Sequence, residues 1–552
     1  MFGRLWAISN LHRLSISLVL ILQMHEFMLN KKQLISIIIT VVIRLCFCFT
    51  VVFEATRWQL GIYFLAEMLL LTTYLFIATK YFRLIAIPFV IIHILQFVNV
   101  TNVGYWVDAT TLQNLSEYEV IGGNTLLFSV FLFFSYALCW IPDFIECFNA
   151  ERLTSKTKRV IFLIFLFAFV LFVKELPIHK FVHAVEEAWE AISYKIEGDQ
   201  RIKDSFLRTA SHRSDIKCKN CNIILLFAEG TSSRVINLDL MPNTFNFLNN
   251  SLSFTNYYNH QAATFRGIRG SLISGFTYRG GWSKGYGFAE ISENQILRDY
   301  SGTVESLPTI LSNNGYKSVF VSPHIQGESL ATLMLAVGFD RTVSSDKKTG
   351  FDSDKKTYDR IFREAERLHR EGKKFLVSGY IVGTHHGLDS DDIRYKNGKN
   401  PYQNKFHNQD HWFGEFLKKI KSSNLLQDTM IIFTTDHSTY PSKEFQQTFM
   451  TEVNVFHDEI PLAFFGPSIK SCKVDAKLRN SLALAPTILE LLGITQYQNH
   501  FLGNSLFEEA SKWERYCAQG NSLFHIDDDG VVRKSNDGNA RKMLKRFYSI
   551  GG

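Results

Sequence analysis

The sequence predicts a chain in two parts: an all-α polytopic membrane domain of about five helices, then an α/β domain with a mostly parallel central sheet covered by helices. Three observations predict it. Long apolar stretches are confined to the first third, and the remainder alternates short apolar runs with helical patterns. Several of those runs end in carboxylates and imidazoles, as strands at the rim of a parallel sheet do. With 46% hydrophobic and 20% charged residues over 552 positions, the chain is too apolar to be a disordered linker. Its net charge of +7 forms no dense basic stripe with interleaved aromatics, which counts against a nucleic-acid partner.

A bilayer span needs about 20 mostly apolar residues. Leu34–Phe53, Leu60–Thr79, Leu84–Thr101 and Thr125–Ile141 approach that length, and Val160–Val173 is shorter but unbroken. Leu14–Leu29 contains His25 and Glu26 and has no small-residue cleavage site, so it makes a poor signal peptide and a poor span; Met28, ahead of Lys31 and Lys32, is an alternative start. Basic residues in alternate connections (Lys31 and Lys32; Lys80 and Arg83; Arg152, Lys156, Lys158 and Arg159) place those connections in the cytoplasm and everything after Lys174 outside it. Arg44 and Glu67 fall inside spans, where a charge is costly, and serve either a lipid head group or a polar contact between helices. The loop Asn102–Asn124, with Tyr105, Trp106, Asp108 and Glu117, suits the lipid–water interface.

Phe181, Val185, Trp189, Ile192 and Ile196 recur at helical spacing among charged residues and predict an amphipathic helix over Ile178–Leu207, lying in the interface or packed on the globular domain. The predicted organisation is therefore a cytoplasmic N-terminus (1–33), a transmembrane domain (34–175), an amphipathic helix and linker (176–216) and an exported domain (217–552).

In the exported part, Asn222–Phe227, Phe375–Val382 and Met430–Thr434 predict buried strands, and helices are predicted over Met241–Asn249, Val304–Asn313, Thr357–Glu371, Gln409–Lys421 and Leu482–Leu492. The strands run into Glu229, His385–His386 and Asp436–His437. Mixed carboxylate and imidazole donors suit Zn²⁺ or Mn²⁺ better than Mg²⁺ or Ca²⁺. Thr264 stands just before a turn rich in Gly and Arg that opens a predicted helix, where backbone N–H groups attract an anion. A hydroxyl there is either a helix cap or a metal-activated nucleophile.

The order Glu229, Thr264, His386, Asp436–His437 resembles the alkaline phosphatase superfamily in its sulfatase-like branch, most of all the membrane-anchored lipoteichoic acid synthases and lipopolysaccharide phosphoethanolamine transferases. Met241-Pro242-Asn243, Phe254-Thr255-Asn256, Val337-Gly338-Phe339-Asp340, Asn408-Gln409-Asp410, Ile460-Pro461-Leu462 and the segment from Ala485 to Leu506 match its connecting motifs. The resemblance covers about residues 220–507 and makes 217–552 a sulfatase-like catalytic domain. It implies Glu229, Thr264, Asp436 and His437 around a metal, Thr264 as the residue that becomes phosphorylated, and His386 as a phosphate contact or leaving-group acid. It adds His457, Arg266 and His260 as further substrate contacts.

The implied activity is transfer of a phospholipid head group, phosphoethanolamine first, to an envelope glycan or lipid A. The alternatives are phosphoglycerol transfer and a phosphodiesterase or other hydrolase of the same superfamily. Two departures stand out. Thr264-Phe265-Arg266 lacks the Cys or Ser of the C/S-x-P-x-R context in which true sulfatases form their formylglycine, and Gly230 separates Glu229 from Thr231 where phosphoethanolamine transferases often have Glu-Thr or Glu-Ser.

Of the eight cysteines, Cys218, Cys221, Cys472 and Cys517 lie in the exported part, an even number that permits disulfides in an oxidising periplasm behind a bacterial inner membrane. Cys218-Lys219-Asn220-Cys221 is also compatible with a redox motif or half a zinc knuckle. The default assembly is a monomer.

Overall fold

The computed structural model describes residues 31–48, 58–77, 81–103, 106–108, 111–112, 123–141, 176–192, 198–211, 218–281, 287–288, 291–390 and 392–551. These fall into two compact units, divided between Glu186 and Glu187.

The first unit is helical. Lys31–Cys48, Trp58–Ile77, Ala86–Val103 and Gly123–Leu138 lie on the first four apolar segments, and the 3-10 turn Phe82–Ile85 leads into the third of these helices. Val160–Val173 and most of the loop Asn102–Asn124 lie outside the described residues. Among the described residues one stretch, Arg83–Asn102 with mean hydropathy 2.1, is long and apolar enough to cross a bilayer, and Leu60–Leu75 and Leu127–Leu138 are apolar but shorter.

This unit buries polar side chains within an apolar core and leaves apolar side chains exposed. Leu127, Phe131, Phe134 and Leu138 present one exposed apolar face of their helix, whereas Arg44, Thr72, His93 and Gln96 are completely buried. Arg44 donates to Thr72 Oγ1 (2.5 Å) and lies over the Trp140 ring (3.7 Å to its centroid), and Glu67 contacts His93 Nδ1 (3.1 Å) and accepts the backbone N–H of Ile178 (3.0 Å). Arg44 and Glu67 thus make contacts between helices, the second of the two roles expected. The amphipathic helix runs Pro177–Ile192, with Val182, Val185 and Trp189 exposed; Gln200–Asp204 forms a separate short helix.

The second unit is built on an eight-stranded sheet. Its strands are β2 (Asn222–Ala228), β3 (Leu252–Tyr258), β4 (Lys317–Ile325), β5 (Arg341–Ser345), β6 (Phe375–Ile381), β7 (Thr429–Thr435), β8 (Leu462–Phe465) and β9 (Cys472–Asn480), in the order β5-β4-β6-β2-β7-β8-β3-β9. β5 through β7 run parallel, and β8 is antiparallel to both neighbours. β1 (Arg208–Ser211) pairs with β10 (Gln496–Asn499), and β11 (Tyr516–Gln519), β12 (Ser522–Ile526) and β13 (Val532–Lys534) form a third sheet.

β2, β6 and β7 are buried along their whole length because both faces are covered. In β2, Ile223, Leu225 and Phe227 enter one core with the helices Thr264–Ile273, Leu307–Asn313 and Leu484–Leu491; Ile224, Leu226 and Ala228 enter the other with Asp354–Arg370 and Pro401–Lys421. Pro401–Lys421 begins eight residues before the expected Gln409, opened by the Asn400 side chain capping Gln403 N and by Pro401 in the first turn.

Candidate active site

β6, β2 and β7 are parallel neighbours, so their carboxyl ends deliver residues distant in sequence to one edge. Glu229 follows β2, its N–H bonded to Ile381 O (2.9 Å), and Asp436 and His437 follow β7. Gly230 makes the turn after Glu229 at φ 47°, a left-handed conformation that suits glycine, and its N–H donates to Asp436 Oδ1 (2.9 Å). His437 N also donates to Asp436 Oδ1 (2.8 Å). The residue that departed from the expected pattern thus helps to hold one carboxylate oxygen.

The other oxygen, Asp436 Oδ2, is buried with no hydrogen-bond partner, 3.2 Å from His437 Nε2. His437 Nδ1 lies 2.8 Å from Ser438 O; a carbonyl only accepts, so Nδ1 carries the proton and Nε2 presents a lone pair. Glu229 Oε1 lies 3.4 Å from Nε2, and donor atoms of the three side chains lie within 4.8 Å of one another. Ligands about 2.1 Å from a tetrahedral cation stand roughly 3.4 Å apart. An orphaned carboxylate oxygen, a bare imidazole nitrogen and these spacings fit a divalent cation. In the protein alone, burial and then the Glu229 charge push Asp436 up to about 7. Burial opposes protonation of His437, but the Asp436 and Glu229 carboxylates outweigh it and raise its pKa.

Thr264 reaches the same point. Its Oγ1 donates to Glu229 Oε2 (3.1 Å) and lies 3.4 Å from His437 Nε2. Thr264 is the first residue of the helix Thr264–Ile273, so the unsatisfied N–H groups of the first turn lie around its side chain. The glycines expected in a turn lie inside this helix and allow close packing. A Cβ on Gly267 would stand 2.0 Å from Asp436 O, and one on Gly270 would stand 2.5 Å from His260 Nε2. Gly267 therefore lets the Thr264 helix lie against the backbone of the ligand-bearing segment.

His386 stands apart from this cluster. Its Nδ1 bonds Tyr402 Oη (2.8 Å), and its ring packs on Tyr440 (4.7 Å), which meets Phe456 (5.2 Å), which in turn meets His437 (4.6 Å). Burial, then the Lys405 charge, lowers His386 to about 3. His385 bonds His386 O through Nδ1 (2.9 Å) and is held at about 4, chiefly by burial; it also feels the charges of His437 and Asp436. His260 bonds Ser481 Oγ (2.6 Å) and Gly275 O (3.0 Å), and Arg266 bonds Tyr278 O (2.8 Å) and Ala262 O (3.3 Å), so both are engaged in holding backbone around the Thr264 helix. His457 is buried between Asn259 (3.2 Å) and Phe524 (5.0 Å), with its Nε2 unpartnered.

Cys218 and Cys221 form a disulfide at the entry to β2, whereas Cys472 and Cys517 are free thiols, so the expected set of bridged cysteines reduces to the CxxC pair.

Two residues of the site are absent from the sequence expectations. Tyr380, near the end of β6, donates its hydroxyl to Glu229 Oε2. Lys405, one turn into Pro401–Lys421, is 1% exposed, donates to His385 O (3.1 Å) and lies over the Tyr402 ring (3.9 Å to its centroid). Burial lowers Lys405 to about 7 against the opposing charges of Glu444, Glu229 and Asp389. Starting this helix at the Asn400-Pro401 signal would have put Tyr402 and Lys405 on the face of the buried Phe406 and Gln409.

A metal-type cluster beside a hydroxyl at a helix start, on the rim of a mostly parallel α/β sheet, is the arrangement of an enzyme centre. The sequence model of the Sulfatase family matches residues 221–494, and this domain belongs to that family, within the alkaline phosphatase superfamily. The chain is 29% identical over 90 residues to Arylsulfatase K of Canis lupus familiaris, spanning 16% of this chain and only 17% of that relative's length. Among solved structures it is similar to a protein in the alkaline phosphatase superfamily from Vibrio parahaemolyticus (18% identity, TM-score 0.49, covering 66% of this chain and 94% of that one). It is also similar to the lipoteichoic acid synthase LtaP from Listeria monocytogenes (16% identity, TM-score 0.45, covering 64% of this chain and 96% of that one).

Proposed function

We propose that the protein transfers the phospho head group of a membrane phospholipid to a cell-envelope glycan such as lipopolysaccharide, through a covalent intermediate on Thr264. In this reading it is a multi-pass protein of a bacterial inner membrane with its catalytic domain in the periplasm. The observation that carries it is the Thr264 hydroxyl within 3.4 Å of both Glu229 and His437, at the start of a helix. The exposed apolar and buried polar side chains of the first unit support placement in lipid.

Glu229, Asp436 and His437 would hold Zn²⁺ or Mn²⁺, which lowers the pKa of a hydroxyl and neutralises phosphoryl oxygens. Thr264 Oγ1 attacks the lipid phosphorus, its proton leaving along the hydrogen bond to Glu229 Oε2. The bond from phosphorus to the glycerol oxygen breaks, and diacylglycerol departs with a proton. The phosphorus, now on Thr264, sits at the helix N-terminus, where first-turn N–H groups stabilise its charge. An acceptor hydroxyl then displaces Thr264 from phosphorus; its proton returns to Thr264 Oγ1, and the phosphodiester is formed on the glycan. Tyr380, hydrogen-bonded to Glu229 Oε2, holds that carboxylate in place. Where the Tyr402 hydroxyl donates to His386 Nδ1, the His386 proton sits on Nε2, from which a neutral imidazole can donate to a phosphoryl or leaving-group oxygen.

The similarity to Arylsulfatase K favours a second reading, hydrolysis of a phosphate or sulfate ester with water as acceptor. Thr264 in place of the Cys or Ser of sulfatases argues against the sulfate form. One pair of measurements tests both readings. Intact mass of the full-length protein given phospholipid should show a head-group phosphate adduct that is absent in Thr264→Ala, and envelope glycolipids of expressing cells should gain the same mass. An adduct that survives in Thr264→Ala removes the proposed nucleophile; release of the group to water with unchanged glycolipids selects the hydrolase.

A further inference from the structure

The helix Thr264–Ile273 is held at its rear as well as at the sheet, and what holds it there comes from beyond residue 494, where the family match ends. Gly275, just past the helix, is pressed by Phe547 of the helix Gly538–Ser549: a Cβ on Gly275 would stand 2.3 Å from Cζ of that ring and 2.4 Å from Cε1. Phe547 is fully buried, and it is braced in turn. Phe206 packs edge-on against it (5.3 Å between centroids), and Gly198 N donates to Ser549 O (3.2 Å). Arg269, inside the Thr264 helix and 2% exposed, donates from its guanidinium to the Gly551 carbonyl. Tyr278 meets the Tyr548 ring (5.0 Å). On the approach to Thr264, β11 takes hold as well, with Ala518 N donating to His260 O (2.8 Å).

The stretch 516–551 therefore grips the chain on both sides of Thr264, yet among the described residues it makes no hydrogen bond to Glu229, Asp436 or His437. The Thr264 helix has ten residues, is about 15 Å long and moves as one piece. Its front is set by Gly267 against Asp436 O and its rear by Gly275 against Phe547. A close-packed interior passes a displacement at one end to the other.

We propose that Phe547 and Gly551 are positioning residues that hold the Thr264 helix from its rear, so that the Thr264 hydroxyl keeps its place beside Glu229 and His437. The inference rests on the reading of Thr264 as nucleophile. The sheet holds the acidic cluster and the rear support holds the hydroxyl, so disturbing the rear slows the chemistry and spares the metal.

Gly275→Ala puts a methyl where the Phe547 ring stands, and Phe547→Leu removes the three ring atoms, Cζ, Cε1 and Cε2, that the methyl would meet. Full-length protein loaded with Zn²⁺ or Mn²⁺ is given vesicles containing phosphatidylethanolamine and phosphatidylglycerol, and diacylglycerol release, metal content and amide hydrogen exchange are measured. In Gly275→Ala, kcat should fall about tenfold or more with KM and metal content unchanged. The amides of 264–273 should exchange about tenfold faster while those of β2 and β7 keep their rates. Combining Gly275→Ala with Phe547→Leu should return both readings to within about threefold of wild type. A variant ending at Ser549, which lacks the Gly551 acceptor, should loosen 264–273 in the same way. Exchange over 264–273 unmoved in Gly275→Ala, loosening that extends to β2 and β7, a loss in KM in place of kcat, or a double variant no better than Gly275→Ala would overturn the proposal. Absence of lipid turnover in wild type counts against the nucleophile reading, and the exchange rates still decide whether the rear support exists. Where a melt shows that Gly275→Ala does not fold, Phe547→Leu alone opens a gap at the same contact and should speed exchange of 264–273 about threefold; unchanged exchange overturns the proposal.

Discussion

The chemistry proposed for Thr264 depends on its position, first in its helix and beside Glu229 and His437, as much as on its hydroxyl. The same logic of position sets the acid sensitivity of the protein. His260 is wholly buried, accepts or donates at both ring nitrogens within the fold, and is held at about 3 by burial. Between about pH 6.5 and 3 the unfolded chain takes up a proton that folded His260 refuses, so its contribution to stability falls as pH falls across that window, at about 1.4 kcal/mol per pH unit. His260→Gln should make the decline of unfolding free energy between pH 6 and 4 shallower by one proton, as read from denaturant titrations; an unchanged slope would show that His260 is not a neutral buried group. At this scale Glu229, Asp436 and His437 are legible in the sequence because each follows an unbroken apolar strand, where a charge has no structural reason to be. Tyr380 and Lys405 are not. A tyrosine is an ordinary strand residue, so only the packing shows that Tyr380 faces inward, and a lysine in a helix ordinarily marks a solvated face unless the helix is started at Asn400-Pro401.

The helix Thr264–Ile273 is the element on which the site depends most, and Gly267 is its point of contact with the sheet. Gly267→Ala should push the helix off Asp436. Overpacking costs about 1–3 kcal/mol, and displacement of the nucleophile by about 1 Å costs roughly a hundredfold in kcat. A melting curve and single-turnover kinetics measure the two effects; wild-type rates would mean that the close approach is not needed. The strands β2, β6 and β7 are legible to within a residue or two because burial on both faces makes each a mostly apolar run without charges. β3, β8 and β9 and the sheet β11-β12-β13 escape notice: β9 is largely exposed, β3 interrupts its apolar residues with Ser253, Thr255 and Asn256, and the others are short. The glycines were legible as special but not in their role: a Gly-rich stretch reads equally as an anion-binding turn and as a helix pressed against backbone.

At the scale of the molecule, the catalytic unit gathers Glu229, Thr264 and Asp436–His437 onto one rim, so a cation bound there ties three segments together. Zn²⁺ or Mn²⁺ at a hundredfold excess over its Kd should stabilise the folded state by about 2.7 kcal/mol. A chelator should reverse the shift in Tm, and His437→Ala should lower both the metal content and the shift. A Tm indifferent to metal would show that the cluster holds none. The helices on the first four apolar segments were readable from the distribution of apolar residues, but hydropathy records composition and leaves open where each helix begins.

The segment that follows β6 is tied to Pro401–Lys421 through Tyr402 on His386, Asn404 on Asp389 and Asn408 on Ile393 N. The strand ends that carry Glu229 and Asp436 are clamped by the sheet instead. Loosening that helix should therefore set the histidines adrift while the acidic rim keeps its shape.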